Sequence, residues 1–194
     1  MQQSDSVKRR LKSAMIRLLN QKHFERVTVM EICREARTSR VTFYTWYDNK
    51  YELLDDYFKD MMNDANMRFR NLQKTNNREN NAITGYCNLL EAIMDIYYEQ
   101  YDFFKHAEQK EDQSIYSRYY WYVIGNVEQF TIRYCKALEP VFTPEQTSSF
   151  LCNGLWGYIH SCREKNIPVQ KIRAGAKQAL LLMLNSGFFK SGNA

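Results

Sequence analysis

Residues that break regular structure are scarce in this chain, with seven Gly and three Pro over 194 positions. An all-β fold needs frequent turns punctuated by those residues, so the scarcity points to helices. Apolar side chains return every three or four positions along most of the sequence, the period of a helix with one buried face. With 44% apolar and 25% charged residues the composition is that of a packed domain rather than a disordered chain. An all-α fold is expected. The longest apolar run, Ala179–Leu184, is far shorter than the roughly 18 residues of a membrane span, and the opening MQQSDSVKRRLKS lacks the apolar segment of a secretory signal. A cytoplasmic protein with no membrane partner is expected. Cys33, Cys87, Cys135, Cys152 and Cys162 form no CxxC pair and read as reduced thiols.

Charge divides the chain. Residues 1–50 hold 11 Lys or Arg against 5 Asp or Glu, so the whole surplus of +5 sits in the first quarter, on a body that is nearly neutral. Lys and Arg gain affinity for polyanions by displacing counterions from phosphates, which suggests a polyanion-binding head over residues 1–50 and a separate body over 51–194.

Helical spacing of Val7, Leu11, Ala14, Met15, Leu18 and Leu19 predicts a helix from about Ser6 to Gln21. Thr28 and Glu31 form an N-cap box for a second helix that runs to about Ala36 and buries Val29, Ile32, Cys33 and Ala36. Ser39 caps a third helix from Arg40 to about Trp46, and Asp48 caps a long fourth one that reaches about Gln73. Lys74–Asn81 is polar and without period, hence a loop. A helix from about Ala82 to Gln100 follows, then Tyr101–Phe104 and the charged run Lys105–Asp112 read as a break with a short helix, with His106-Ala107-Glu108 and the carboxylates of that run in a solvated turn. Further helices are expected from Ser114 to about Leu138, from Thr143-Pro144-Glu145 to about Lys165, and from Val169 to Ser186 with Gly187 as its cap.

The segment Thr28–Lys50, TVMEICREARTSRVTFYTWYDNK, has the parts of a helix-turn-helix reader: a capped helix, a tight link, and a second short helix whose exposed side is not apolar. It carries in order Thr28, Ala36, Ser39, Phe43-Tyr44, Tyr47 and Asn49-Lys50, and in this it resembles the N-terminal DNA-binding domain of TetR/AcrR-type regulators. The resemblance implies an N-terminal three-helix DNA-binding domain joined to a helical ligand-binding and dimerisation domain. It implies phosphate contacts from Thr28, Thr42, Tyr44, Trp46 and Lys50, beside the cap Ser39. Base-edge contacts fall to Arg40, whose fork suits guanine, and to Val41 and Thr45, which can touch thymine methyls. Phe43 and Tyr47 should pack inward. Two positions depart from the family pattern. Arg37 stands where Gly is common, which costs conformational energy unless the turn takes another shape, and which offers one more phosphate contact. Val41 stands where a small residue is usual, and its β-branch limits how closely the helix approaches a base.

The body resembles that family in length, helix order and closing hairpin. Its many aromatic residues are numerous enough to line a cavity for a small apolar or aromatic effector, with Tyr101, Phe104, Tyr119, Tyr122 and Trp156 as pocket candidates because hydroxyls or an indole N–H can orient a ligand. Gly154 and Gly157, with Tyr158 beside them, allow close helix approach. Together with Leu180, Met183 and Leu184 of a final helix that is apolar nearly all round, they suggest a homodimer seam.

No catalytic set is expected: His23, His106 and His160 are scattered, and Gly-rich phosphate loops, nucleophile elbows and HExxH are missing from the sequence. Cys152, His160 and Cys162 lack metal-finger spacing, so neither metal nor cofactor is expected. The function implied by the resemblance is a ligand-responsive, homodimeric transcription regulator, a repressor by family habit, on a palindromic double-stranded DNA operator. The alternative is a protein-interaction co-regulator whose head no longer reads DNA.

Overall fold

The computed structural model describes residues 2–109 and 113–190. Among them nine α-helices follow one another: α1 (Gln2–Leu19), α2 (Val29–Glu35), α3 (Arg40–Tyr44), α4 (Lys50–Asn76), α5 (Ala82–Glu99), α6 (Tyr101–Gln109), α7 (Gln113–Tyr134), α8 (Pro144–Glu164) and α9 (Val169–Leu184). A 3-10 turn, Phe24–Arg26, precedes α2, and an isolated antiparallel bridge joins Pro140 to Phe189. The fold is all-α, as the scarcity of Gly and Pro requires. No described helix is long and apolar enough to cross a membrane.

Several helix ends differ from expectation for identifiable reasons. Asn49, not Asp48, caps α4: its Oδ1 accepts from the backbone N–H groups of Tyr51 and Glu52 at 2.9 and 3.0 Å, while the Asp48 N–H donates to the Glu52 carboxylate. The expected break falls at Gln100, between α5 and α6, and the short helix that follows takes Tyr101–Phe104 as its first turn. α7 ends at Tyr134, whose carbonyl oxygen then accepts from Ala137 and Leu138 in a closing turn. α9 stops at Leu184 with Asn185 as its cap, and Gly187 has no positive φ to supply. Residues 110–112 of the charged run, and the side chains of His106 and Glu108, lie outside the described residues.

The chain forms two compact units, each assembled from two stretches of sequence, and it passes between them within α4, α5 and α7. The first comprises Met1–Met61 and Tyr97–Tyr120. Its core takes Leu11, Ala14 and Met15 from α1, Ile32 and Cys33 from α2, Phe43 from α3, and Leu53, Leu54 and Phe58 from α4. An aromatic cluster continues it, with Phe104 and Tyr119 ring centres 4.6 Å apart, Tyr97 stacked on Phe104 at 4.8 Å, and Phe58 against Tyr119 at 5.7 Å. Such contacts add about 0.5–1.5 kcal/mol each beyond the area they bury.

The second unit comprises Met62–Ile96 and Trp121–Ala194. Phe130 is its centre, edge-on to Phe69 and Tyr86 and stacked on Tyr134. The run expected as a plain polar loop is partly interior: Asn77 is buried, donates to Gln73 Oε1 at 3.0 Å and to the Asn81 carbonyl at 2.9 Å, and accepts from the Asn81 N–H. These amides satisfy the backbone groups of a tight turn that water would otherwise have to reach. α8 and α9 pair antiparallel, since Gly154 meets Met183 while Tyr158 lies over Gly175. A Schellman turn joins them, with Asn166 at φ 54° and hydrogen bonds from Asn166 to Arg163 and from Ile167 to Cys162.

Candidate nucleic-acid interface

The first unit builds its presenting surface from α2 and α3. The Glu31 N–H donates to Thr28 Oγ1 at 3.3 Å, and Glu31 Oε2 accepts from the Thr28 N–H at 3.0 Å and from its hydroxyl at 2.8 Å. The capping box starts α2 as the sequence predicts. Lys22 completes it by donating to Glu31 Oε1 at 2.5 Å. That bond, followed by those from Thr28, lowers the Glu31 pKa to about 2, so Thr28 presents its hydroxyl beside a fixed negative charge.

Arg37 occupies the turn with φ 51°. Its N–H donates to the Arg34 carbonyl at 3.2 Å and the Thr38 N–H to that of Cys33 at 2.9 Å, which is the Schellman pattern. The link has the shape that a glycine would give, and the arginine bears the strain. Two residues on, Ser39 Oγ accepts from the Thr42 N–H at 3.0 Å and starts α3.

α3 is short but sharply two-sided. Phe43 and Tyr47 are buried, their rings 5.8 Å apart, and Tyr47 donates to Asp56 Oδ2 at 2.6 Å. Burial works against the Asp56 carboxylate, yet the hydrogen bonds from Tyr47 and Lys12 overcome it and hold its pKa below the ordinary value. The same surroundings push the Tyr47 phenol well up, chiefly through burial. The chain Tyr47–Asp56–Lys12, with Lys12 Nζ 2.9 Å from Asp56, fastens the end of α3 to α4 and α1. With this side anchored, the opposite side presents Arg40, Val41, Tyr44 and Thr45, the first pair one helical turn from the second; Val41 is 79% exposed. Arg40 lies over the Tyr44 ring at 5.9 Å, and Thr45 Oγ1 donates back to the Val41 carbonyl. Trp46 is exposed beside Lys8, whose ammonium is 5.4 Å from its ring centre.

Lys50 differs from the other expected phosphate contacts. Its side chain is 14% exposed, and Nζ donates to the carbonyls of Phe24 and Glu25 at 2.8 and 2.9 Å, with the Glu25 carboxylate 3.6 Å away. It clasps the turn before α2 to the start of α4, a role the sequence did not reveal because the partners are backbone oxygens. Also unforeseen is a groove of about 650 Å³ lined by Arg9, Arg10, Ser13 and Arg17 of α1 with Arg34, Glu35, Ala36 and Arg37. The N-terminal charge surplus was its only sequence signal.

The remaining candidates are divided between the units. Tyr101, Phe104 and Tyr119 belong to the first, and Tyr122 and Trp156 to the second. Phe104 and Tyr119 are fully enclosed, and the Tyr119 hydroxyl has no hydrogen-bond partner among the described residues. On the α8–α9 hairpin, Leu180 and Leu184 are buried within the single chain, on the face of α9 that also carries the buried Ile172 and Ala176. Outward apolar positions on the two helices include Phe150 at 53% and Leu182 at 67%, and Gly154 and Gly157 are exposed as well; Tyr158 and Met183 are half-buried, in contact with Gly175 of α9 and Gly154 of α8.

Residues 12–57 match the family described as bacterial regulatory proteins, tetR family. A protein of Bacillus subtilis (strain 168) named as an uncharacterized HTH-type transcriptional regulator, YxbF, is 30% identical over 57 residues, which is 29% of this chain and 15% of that relative. That match spans only a small part of the relative's length, and the family match takes in the two-sided α3.

Proposed function

Residues 12–57 place the chain in the tetR family of bacterial regulatory proteins, and from this premise we propose that it is a homodimeric, effector-responsive repressor of transcription acting on a palindromic operator. The observation that carries the reading is α3 itself, whose Phe43 and Tyr47 are held inside while Arg40, Val41, Tyr44 and Thr45 face outward. Arg40 reads a guanine edge, and Val41 and Thr45 meet thymine methyls. Arg37, Thr42, Tyr44 and Trp46 donate to phosphates and fix the register, while the Thr28 hydroxyl, already donated to Glu31, joins them only when that bond opens.

Two such heads reach successive major grooves only when their bodies hold them about 34–36 Å apart. The outward positions Phe150, Gly154, Gly157 and Leu182 supply a face on which a second copy seats its own α8–α9 hairpin. The division of labour runs between a DNA-reading head, residues 1–50, and a body, residues 51–194. An apolar or aromatic effector with one polar atom suits the buried aromatic cluster, where the Tyr119 hydroxyl awaits a partner. By binding the two head spacings unequally, such an effector shifts the protein away from DNA.

Selection of bound duplexes from a random pool by the purified full chain, at two salt concentrations, tests the reading. A palindromic motif whose affinity falls with salt is the expected result. Weak binding without a motif, abolished by salt, refutes operator reading and favours the co-regulator that works through protein partners.

A further inference from the structure

The arginine groove lies on the head but not on the outward face of α3. Arg9, Arg10 and Arg17 come from α1, spread over eight positions or about 12 Å of helix. Arg34 and Arg37 come from the end of α2 and the turn after it. Glu35 is the carboxylate in the lining, and it already accepts from Arg17 Nε at 2.6 Å. Arg9, Arg10, Arg34 and Arg37 have no carboxylate within ion-pair distance among the described residues, and all four are exposed. Four like charges held together without counter-charge repel one another, and an anion placed among them relieves that repulsion. The negative end of the short α2 helix lies on the same side and offsets only part of it.

We propose that this groove is a second DNA-backbone site, holding phosphates of the duplex outside the bases that α3 reads. The inference rests on the DNA-binding reading above. Duplex DNA, rather than a small polyanion, is favoured by shape and by place. The lining runs along about 12 Å of α1, enough for several phosphates of one strand, which follow each other at about 3.4 Å along the duplex axis. Arg37 belongs to the groove and to the link of the helix-turn-helix at once, three residues before Arg40. A duplex seated on Arg40 therefore brings its backbone to the mouth of the groove. Each arginine there adds affinity without sequence information, because phosphates are the same at every step.

The test measures affinity of the full chain for a random-sequence duplex by fluorescence anisotropy between about 50 and 200 mM salt, together with the motif selected from a random pool. The triple variant R9Q/R10Q/R34Q leaves the Arg17–Glu35 pair intact. If the groove holds three phosphates, the salt-induced loss of affinity over that range shrinks by about 40-fold in the variant, since each contact contributes about 0.9 to the slope. The selected motif stays the same. The variant R9K/R10K/R34K keeps the charge and restores the slope.

An unchanged slope in the Gln variant, with wild-type binding intact, overturns the groove site and leaves operator reading standing. A motif altered at one base position overturns it as well, by making these residues base readers. Failure of the Lys variant to restore the slope makes the role structural and overturns it too. Tight, stoichiometric binding of inorganic tripolyphosphate that the Gln variant loses, with an unchanged duplex slope, assigns the groove to a free polyphosphate instead. A wild-type chain without salt-dependent DNA affinity refutes the DNA reading on which the groove site depends.

Discussion

The Lys50 ammonium stands 2.8 Å from the carbonyl oxygen of Phe24, twenty-six positions earlier, and so ties the first residue of α4 to the turn that precedes α2. The same ammonium reaches the Glu25 carbonyl and lies 4.7 Å from the Phe24 ring centre. A phosphate contact from Lys50 has to share a charge that the fold already uses.

Hydrogen bonds to a charged group contribute about 1.5–3 kcal/mol each, less where water can replace the donor. Lys50→Met, which keeps the apolar stem, should therefore lower the free energy of unfolding by about 1–3 kcal/mol, read as a fall in the urea midpoint. An unchanged midpoint with weakened DNA binding would make Lys50 a phosphate contact and nothing more.

Arg37 holds a left-handed conformation at φ 51° that costs a side-chain-bearing residue about 1–2 kcal/mol. Arg37→Gly should raise stability by about 1 kcal/mol even though it frees the unfolded chain, whereas Arg37→Ala keeps the strain and gains nothing. Thermal melts of the two variants check this. Equal melting of both would show that the link has relaxed away from the left-handed shape.

The helix starts at Thr28, Ser39 and Thr143 were legible in the sequence because their signals are local. Thr28 with Glu31, Ser39 before Arg40, and Thr143 with Pro144 each announce a helix start within four residues, and all three caps are in place. The inward Phe43 and Tyr47 came from the family resemblance, and both are buried. What escaped depends on partners distant in sequence. Lys50 finds backbone oxygens of another segment, Asp56 joins Tyr47 to Lys12, and Leu180 and Leu184 are buried within the single chain. The loop after α4 was read correctly from its lack of period, but composition does not show that its amides satisfy one another, as Asn77 and Asn81 do.

Glu31 gives the head an acid limit. Its pKa falls from 4.5 to about 2 in the fold, so the bound state favours the charged carboxylate. The stability this contributes is complete above pH 4.5 and is lost as the pH drops through about 2. Glu31→Gln should flatten the dependence of stability on pH across that window, seen by circular dichroism at a series of pH values. A variant that loses stability over that window as steeply as the parent would place the acid limit elsewhere.

Tyr119 is enclosed among Phe58, Tyr97 and Phe104, and its hydroxyl has no partner among the described residues. Burial pushes its phenol well above the ordinary value. A buried hydroxyl without a hydrogen bond costs about 1–3 kcal/mol, so Tyr119→Phe should stabilise the effector-free protein by about 1 kcal/mol or more. The same change should abolish stabilisation by the polar aromatic effector proposed above. A destabilised Tyr119→Phe protein would mean that the hydroxyl is satisfied without an effector.

Arg40 and Tyr44 stand one turn apart on the outward side of α3, with the guanidinium 5.9 Å from the ring centre, yet they should fail differently when altered. Arg40 offers a planar fork to one base edge, worth about 1–3 kcal/mol of discrimination against the wrong base. In the proposed complex the Tyr44 hydroxyl donates to a phosphate, worth about 0.5–1.5 kcal/mol whatever the sequence. Arg40→Ala should thus relax preference at one position of the selected motif, while Tyr44→Phe weakens binding to all duplexes by about 2–10-fold and leaves the motif intact. Phe is the sharper replacement because it keeps the ring on which Arg40 rests; Tyr44→Ala would disturb both roles together. A uniform loss for Arg40→Ala would remove it from base reading and leave Val41 and Thr45, with their methyl contacts, to carry the sequence preference of the helix.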